Sequence, residues 1–206
     1  MEITTLALGS LAANCYILPC GDGGAVLIDV GEGAERVRHA LSALSLTPGA
    51  ILLTHGHYDH IAGVEEIRSE YGCDVYIHEL DAHMLQSSEA NLAWQIADSP
   101  FIPVKAYQTV RDGDVLRIGA LDVTVIHTPG HTPGGVCYRI GDDLFTGDTL
   151  FKMSMGRTDL GGDIGQMRET LRMLSHMEDD CTVYPGHFGS STMRFEQAHN
   201  PCLRGL

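Results

Sequence analysis

The sequence predicts an α/β protein of four layers, in which two sheets pack face to face and helices lie outside them. Each half of the chain contains several short segments typical of strands, together with a few segments whose apolar residues have helical spacing. The chain of 206 residues, 44% hydrophobic and 19% charged, is also long enough for one well-buried core. We therefore expect a single domain over residues 1–206.

The first half of the chain is predicted to begin with strands. Short apolar or alternating segments predict five strands, at 3–8, 15–18, 25–29, 50–54 and 74–77. The glycine-rich turn at 21–24 joins the second and third of them as a hairpin. Helical spacing, or the absence of Gly and Pro, predicts three helices, at 34–44, about 60–71 and 78–99.

The second half follows a connector at 100–103 and is richer in strands. Six segments separated by glycine-containing turns are predicted as strands, at 105–110, 114–117, 121–127, 135–140, 143–146 and 181–184. Ile164, Met167, Leu171 and Leu174 share one helical face, and a short helix is predicted near 192–199.

Charge excludes several kinds of partner. Lys and Arg number 13 against 27 Asp and Glu, which gives a formal net charge of -14 that repels phosphate backbones and anionic lipid surfaces. No apolar run approaches the roughly 20 residues of a membrane span, and the N-terminus does not resemble a signal peptide. The six cysteines form no CxxC pair, so we expect free thiols. These features indicate a cytoplasmic protein that acts on a small molecule, without nucleic-acid or membrane partners.

The most informative segment is Thr54–His60, which follows an apolar strand. It contains four side chains of the kinds that bind metals, namely His55, His57, Asp59 and His60. Imidazoles crowded in this way would repel one another on protonation unless a cation holds them. Gly56 allows a tight turn, so we expect His55 and His57 to face one ion and Asp59 and His60 to face another.

Three more residues share a local pattern, because each follows an apolar strand and is flanked by Gly or Pro. They are His131, Asp148 and His187. Loops at strand ends are where a rigid scaffold presents chemical groups. We expect these three side chains to join the Thr54–His60 segment at one edge of the sheets.

The complete set resembles the signature of the metallo-β-lactamase superfamily, HxHxDH followed by a separate His, an Asp and a final His. The resemblance covers nearly the whole chain and implies an αββα sandwich of two mixed sheets. It implies that one metal ion is held by His55, His57 and His131. It implies that a second ion is held by Asp59, His60 and His187. Asp148 would bridge the two ions, and Asp29 would brace the metal-binding loops by hydrogen bonding.

Such a centre would hold two divalent ions per chain, with zinc expected first and iron or manganese as alternatives. A shared water has a pKa near ~7 when zinc-bound, so metal-bound hydroxide would be the nucleophile at neutral pH. Asp59 is the nearest candidate to orient this nucleophile or accept its proton. We expect hydrolysis of an acyl bond.

Within the superfamily, the chain is most similar to the glyoxalase II-like branch, the hydroxyacylglutathione hydrolases that cleave the thioester S-lactoylglutathione. The segments that carry this similarity are 14–16, 130–134 and 147–151. The resemblance implies that Arg157 contacts the glutathione portion, and Lys152 is a weaker candidate for the same role. Only 19 residues follow His187, so the chain resembles the short members of the branch that lack a helical C-terminal domain.

Other functions remain as alternatives. A persulfide dioxygenase, with one iron on two His and one Asp, is similar in the Gly156–Asp159 run, and oxygen uptake would distinguish it. A metal-binding protein without turnover is the non-enzymatic alternative. A β-lactamase is disfavoured, because Asp148 stands where the common two-zinc enzymes use Cys and His60 is an additional histidine.

Overall fold

The N-terminal half forms a six-stranded sheet in the computed structural model, which describes residues 2–97 and 100–204. Its strands, in both chain order and sheet order, are β1 (Thr4–Leu8), β2 (Ala13–Gly21), β3 (Gly24–Ile28), β4 (Thr47–Leu52), β5 (Asp74–His78) and β6 (Gln108–Val110). Pairing is antiparallel from β1 to β3 and parallel from β3 to β6, so the sheet is mixed. The predicted hairpin is the β2–β3 pair.

The C-terminal half forms the second sheet. The remaining strands are β7 (Val115–Ile118), β8 (Leu121–His127), β9 (Val136–Ile140), β10 (Asp143–Gly147), β11 (Leu150–Phe151), β12 (Ser154–Met155), β13 (Thr182–Pro185) and β14 (Ser191–Thr192). Six of them pair in the order β14-β13-β10-β9-β8-β7, while β11 and β12 form a separate small ribbon. Only the β10–β13 pair of this sheet is parallel, so the second sheet is also mixed.

The helices are short. They are α1 (Ala34–Leu44), α2 (Tyr58–Ile61), α3 (Val64–Tyr71), α4 (Ala93–Ile96), α5 (Ile164–Ser175) and α6 (Met193–His199), with a 3-10 helix at Ala82–Gln86. Side chains cap the last two, since Asp163 accepts the N–H of Gln166 and Thr192 accepts the N–H of Phe195. Across residues 2–97 and 100–204, no helix has the length and apolar character needed to cross a bilayer.

Three apolar cores separate the four layers. Alternation along β2 sends Ile17 toward α1 and α3 and sends Leu18 toward the second sheet. The outer core of the first sheet receives Val37 and Leu41 of α1 with Val64 and Ile67 of α3. The outer core of the second sheet receives Met167, Leu171 and Leu174 of α5. The predicted four-layer sandwich is therefore confirmed.

The helix predicted at 60–71 is broken into α2 and α3. Val30 forms two backbone hydrogen bonds at the break: its N–H donates to His60 O at 2.8 Å, and its carbonyl accepts the Gly63 N–H at 2.9 Å. These bonds replace the helical ladder across residues 60–63. The predicted end is correct, because Gly72 is left-handed with φ 68 and closes α3.

The prediction of a continuous helix over 78–99 is wrong. Residues 82–86 form the 3-10 helix and residues 93–96 a single helical turn, while 98–99 lie outside the described residues. Buried Asn91 uses its side chain locally: Nδ2 donates to Met84 O and Oδ1 accepts the Ala93 N–H, both at 2.9 Å. Leu92 is left-handed with φ 69, so a helix cannot run through it.

Candidate metal centre

The predicted ligands lie beyond the ends of four strands. The Thr54–His60 segment follows β4 of the first sheet, and His131, Asp148 and His187 follow β8, β10 and β13 of the second. These last three strands run in one direction, because β9 is antiparallel to both β8 and β10 and β13 is parallel to β10. Their C-terminal ends therefore share one edge of the sheet, where the four loops meet.

One group of ligand atoms comes from His55, His57 and His131, which we call the first triple. Each side chain offers one atom, these atoms lie within 4.8 Å of one another, and all three residues are buried. Nδ1 of His57 lies 2.9 Å from Nε2 of His131. Burial and the neighbouring His131 lower the pKa of His57 to about 4, and burial with the other histidines lowers the pKa of His55. Both rings are thus neutral at pH 7 and have a lone pair for a metal ion.

A second group comes from Asp59, His60 and His187, which we call the second triple and whose ligand atoms also lie within 4.8 Å. Asp59 Oδ2 lies 3.2 Å from His187 Nε2 and 3.6 Å from His60 Nε2. Burial alone would raise the pKa of the Asp59 carboxyl, but His60 and His187 outweigh burial and lower it. Asp59 is therefore a carboxylate at neutral pH.

Asp148 lies between the two triples. Its Oδ2 is 3.5 Å from His131 Nε2 of the first triple and 3.5 Å from His187 Nε2 of the second. Its Oδ1 is 3.4 Å from His60 Nε2. Burial would raise the pKa of this carboxyl, but His60, His131 and His187 lower it overall. The arrangement is that of a carboxylate able to reach two ions at once.

Three buried polar atoms of this cluster have no hydrogen-bond partner among the described residues: His55 Nε2, His57 Nε2 and Asp148 Oδ1. Buried polar atoms without a partner are costly and rare in folded proteins. Imidazole nitrogens together with carboxylate oxygens are a donor set suited to zinc, iron or manganese. The cluster therefore fits divalent metal ions.

Oxygen acceptors fix the orientation of three of the rings. The Nδ1–H groups of His60, His131 and His187 donate to Asp29 Oδ2 at 2.8 Å, Arg157 O at 2.6 Å and Leu11 O at 3.1 Å. Because these oxygens only accept, each Nδ1 carries a hydrogen, and Nε2 is the ring atom that a metal ion at the centre would meet.

Asp29 lies where the sequence predicts a brace. It has a left-handed backbone with φ 53, and its carboxylate accepts hydrogen bonds from the backbone and hydroxyl of Thr54 at 2.8 and 2.7 Å. With the bond from His60, Asp29 ties both ends of the Thr54–His60 segment together.

The two predicted substrate-binding cations differ in their surroundings. The Arg157 guanidinium is exposed and forms a bidentate pair with Asp159, with both N–O distances 2.6 Å, while its carbonyl holds His131. Lys152 Nζ lies 6.0 Å from the centre of the Phe195 ring. Contact of either residue with a substrate stays a prediction.

An apolar cavity of about 330 Å³ opens beside His187 and is lined by Leu11, Asn14 and Phe188. Phe188 is 74% exposed and left-handed with φ 67, and Asn14 Nδ2 donates to its carbonyl at 2.9 Å. Its ring approaches Phe151 edge-on, with centroids 5.6 Å apart. Phe188 was not predicted as a site residue, although its position directly after a predicted ligand is a signal.

Asp81 was also missed. It is completely buried just after β5, and its carboxylate accepts hydrogen bonds from Thr132 Oγ1 at 2.7 Å, Gly134 N at 2.7 Å and Gly56 N at 3.3 Å. Asp81 lies inside a segment predicted to be helical, and its partners are 25 to 53 residues away in the chain. No local sequence pattern indicates such contacts.

The sequence matches a known protein family and several of its relatives. The family model for the metallo-beta-lactamase superfamily matches residues 8–187. The probable metallo-hydrolase YqgX of Bacillus subtilis is 32% identical over 100% of this chain and 99% of its own length. The hydroxyacylglutathione hydrolase GloC of Haemophilus influenzae is 29% identical over 98% of both chains.

Solved structures share the fold. The BLEG-1 B3 metallo-beta-lactamase superposes with a TM-score of 0.90 at 36% identity, covering 99% of this chain and 100% of its own. TTHA1623 in a di-iron-bound form superposes with a TM-score of 0.84 at 33% identity, covering 96% of this chain and 98% of its own. ETHE1 from Myxococcus xanthus superposes with a TM-score of 0.78 at 30% identity, covering 98% of this chain and 84% of its own. With its two-sheet sandwich and buried histidine–aspartate cluster, the chain belongs to the metallo-beta-lactamase superfamily of metal-dependent hydrolases.

Proposed function

We propose that this protein is a two-metal hydrolase that cleaves a small-molecule thioester of the S-lactoylglutathione kind. The observation that supports this most is Asp148, whose Oδ2 is equally close to a histidine of each triple, at 3.5 Å. Seven donors, one of them a shared carboxylate, suit two ions better than one. Bound divalent ions, zinc first with iron or manganese as alternatives, would lower the pKa of water toward ~7 and polarise the substrate carbonyl.

Asp59 would orient the nucleophile. Its carboxylate keeps a lowered pKa because His60 and His187 are close, so it is ionised at neutral pH. An ionised oxygen at this position accepts a hydrogen bond well but is a weak base. We therefore assign Asp59 the role of positioning the attacking group, rather than storing a proton.

The leaving group is the reason for preferring a thioester. The titratable side chains that approach Asp148 in the described residues are His60, His131 and His187, all of them proposed ligands. A ligand whose Nε2 faces a metal ion has no proton there to give to a departing group. A thiol has a pKa of about 8.5 and leaves as a thiolate with little assistance, and the likeness to GloC points the same way.

A mononuclear iron persulfide dioxygenase is the second candidate, supported by the Gly156–Asp159 run and by the likeness to ETHE1. Such a site needs two histidines and one aspartate. This centre has four donors more than such a site needs, which favours the hydrolase.

The test is turnover of S-D-lactoylglutathione by protein reconstituted separately with zinc, iron or manganese, followed as loss of thioester absorbance. We expect hydrolysis that a chelator abolishes and that falls at least about 100-fold in Asp148→Asn, because each buried ligand is needed for a full centre. Asp142→Asn, in the exposed turn before β10, is the matched control and should retain full activity.

Two different results would contradict the assignment as a thioester hydrolase. Oxygen consumption with glutathione persulfide by the iron form, without thioester cleavage, would favour the dioxygenase. Failure of a fully metal-loaded sample to act on thioesters, esters, lactones or persulfides would favour a metal-binding protein without turnover.

A further inference from the structure

The buried carboxylate of Asp81 requires an explanation. The side chain is 0% exposed and accepts three hydrogen bonds without a neighbouring cation among them. Burying a carboxylate is costly unless hydrogen bonds or charges compensate. A side chain that served packing alone would be apolar at this position, so the three hydrogen bonds indicate what the carboxylate does.

The three donors belong to the two loops that carry the first triple. Gly56 lies between His55 and His57, while Thr132 and Gly134 follow His131. Oδ2 of Asp81 accepts from both loops, from Gly56 N at 3.3 Å and Thr132 Oγ1 at 2.7 Å. One carboxylate therefore joins a loop of the first sheet to a loop of the second.

The junction is too tight for a side chain at Gly134. A Cβ there would lie 2.6 Å from both the backbone nitrogen and Oδ1 of Asp81. Glycine thus lets the His131 loop approach until its N–H reaches the carboxylate at 2.7 Å. This contact holds the His131 loop close against Asp81.

The second triple has different supports. His60 donates to Asp29 and His187 donates to Leu11 O, whereas the three hydrogen bonds of Asp81 all come from the loops of the first triple. Asp81 therefore contacts the loops of the first triple, while Asp29 holds His60 and also the Thr54 hydroxyl, which lies 3.1 Å from His55 Nδ1.

From these contacts we infer that Asp81 is a positioning residue that sets the geometry of the first triple and leaves the second triple unaffected. This inference rests on the two-metal centre of the proposed function. Loss of the carboxylate lets the His131 loop move away from His55 and His57, so the ion held by these three rings binds more weakly. Asp81 itself belongs to neither triple.

The experiment measures zinc affinity in two parent chains, each by competition with a chromophoric chelator. His187→Ala retains the first triple intact, and His131→Ala retains the second. Adding Asp81→Asn should weaken zinc binding by about 10- to 100-fold in the His187→Ala chain, a typical effect of removing a group that orients ligands. In the His131→Ala chain the affinity should stay within about twofold. Equal weakening in both parents, or in neither, would overturn the inference.

A second pair of variants covers the case in which Asp81→Asn fails to fold. Thr132→Val removes one donor to Asp81, whereas Thr132→Ser keeps the hydroxyl. In the His187→Ala chain we expect Thr132→Val to weaken zinc binding and Thr132→Ser to preserve it. If the two variants bind zinc equally, the Asp81 link does not position the first triple.

Asp114→Asn is the control for an aspartate that accepts a backbone N–H away from the centre, since Asp114 accepts from Arg111 at 2.8 Å. It should change neither affinity. Zinc titration requires no substrate, so absence of thioester hydrolysis would count against the proposed function and leave the result for Asp81 intact.

Discussion

At the scale of single residues, Phe188 connects the metal centre to an apolar surface. It follows His187 directly, stands 74% exposed and lines the cavity beside this histidine with Leu11. An exposed aromatic ring in a left-handed backbone is costly, and such features concentrate at binding sites. The ring is well placed to contact an apolar portion of the substrate.

We therefore predict that Phe188→Ala raises KM for a thioester substrate by about 3- to 10-fold. The change would remove roughly 1 kcal/mol of apolar contact, where 1.4 kcal/mol corresponds to a factor of ten. Zinc content and kcat should stay near wild type, because the ring is not a ligand. Steady-state kinetics with metal analysis would check this, and Met173→Ala, an exposed apolar residue of α5, is the control. An unchanged KM would show that the substrate does not reach Phe188.

Single residues also show what the sequence can predict. The seven proposed ligands could be predicted because each combines a ligand-type side chain with a strand end and a nearby Gly or Pro, which are local signals. Asp81 has no such signal, because its role depends on hydrogen bonds from Gly56 and Thr132, which are 25 and 51 residues away in the chain. The ion pair between the Arg157 guanidinium and Asp159 could not be predicted from the sequence pattern either, because it depends on how the side chain is oriented.

At the scale of elements, the loop after β13 fits against Asp148 with almost no free space. A Cβ on Gly186 would overlap Asp148 Oδ1 and would lie 2.8 Å from His60 Cε1. The backbone of Gly186 also donates to Gly147 O at 2.8 Å and accepts from Asn14 N at 2.7 Å. The loop cannot move without breaking these bonds.

Gly186→Ala is therefore predicted to displace His187 or Asp148 and to cost most of the metal bound at the second triple. Metal analysis after dialysis would show about one ion per chain or fewer. Gly189→Ala is a matched control three residues later, because a Cβ there meets nothing within 4 Å. Full metal content in Gly186→Ala would mean that the loop tolerates a wider spacing than the structure has.

The elements that were predicted wrongly share a cause. Both the break at Gly63 and the interruption at Asn91 come from hydrogen bonds that compete with the helical ladder. At Gly63 the competing group is Val30, a residue from another part of the chain. The spacing of apolar residues within a helix contains no information about a hydrogen-bond partner elsewhere in the chain. Strands with a clear period of two, in contrast, were located to within a few residues.

At the scale of the whole molecule, the centre joins the two sheets. Tyr138 of β9 donates its hydroxyl to Leu53 O at 2.9 Å, so the second sheet holds the first just before the Thr54–His60 segment. The ligands of each triple come from both sheets. Metal binding and packing of the sheets should therefore support one another.

We predict that chelation lowers the unfolding temperature of the zinc-loaded protein by about 5–10 °C. A ligand at 100 times its Kd stabilises the folded state by about 2.7 kcal/mol, and 1 kcal/mol corresponds to about 2–4 °C for a chain of this size. Thermal unfolding with zinc and with excess chelator would measure the difference. Identical unfolding temperatures would mean that the ions do not hold the sheets together.

The ligands are far apart along the chain, so they come together only when the chain folds. His57 and His131 are separated by 74 residues, and His60 and His187 by 127. An ion bound to both members of such a pair closes a long loop in the folded chain. Unlike a disulfide, which also restricts the unfolded chain, the ion stabilises the fold by binding to the folded state alone. All six cysteines are free thiols. In this protein the cross-links would be coordination bonds, which form and dissolve with metal supply instead of with redox conditions.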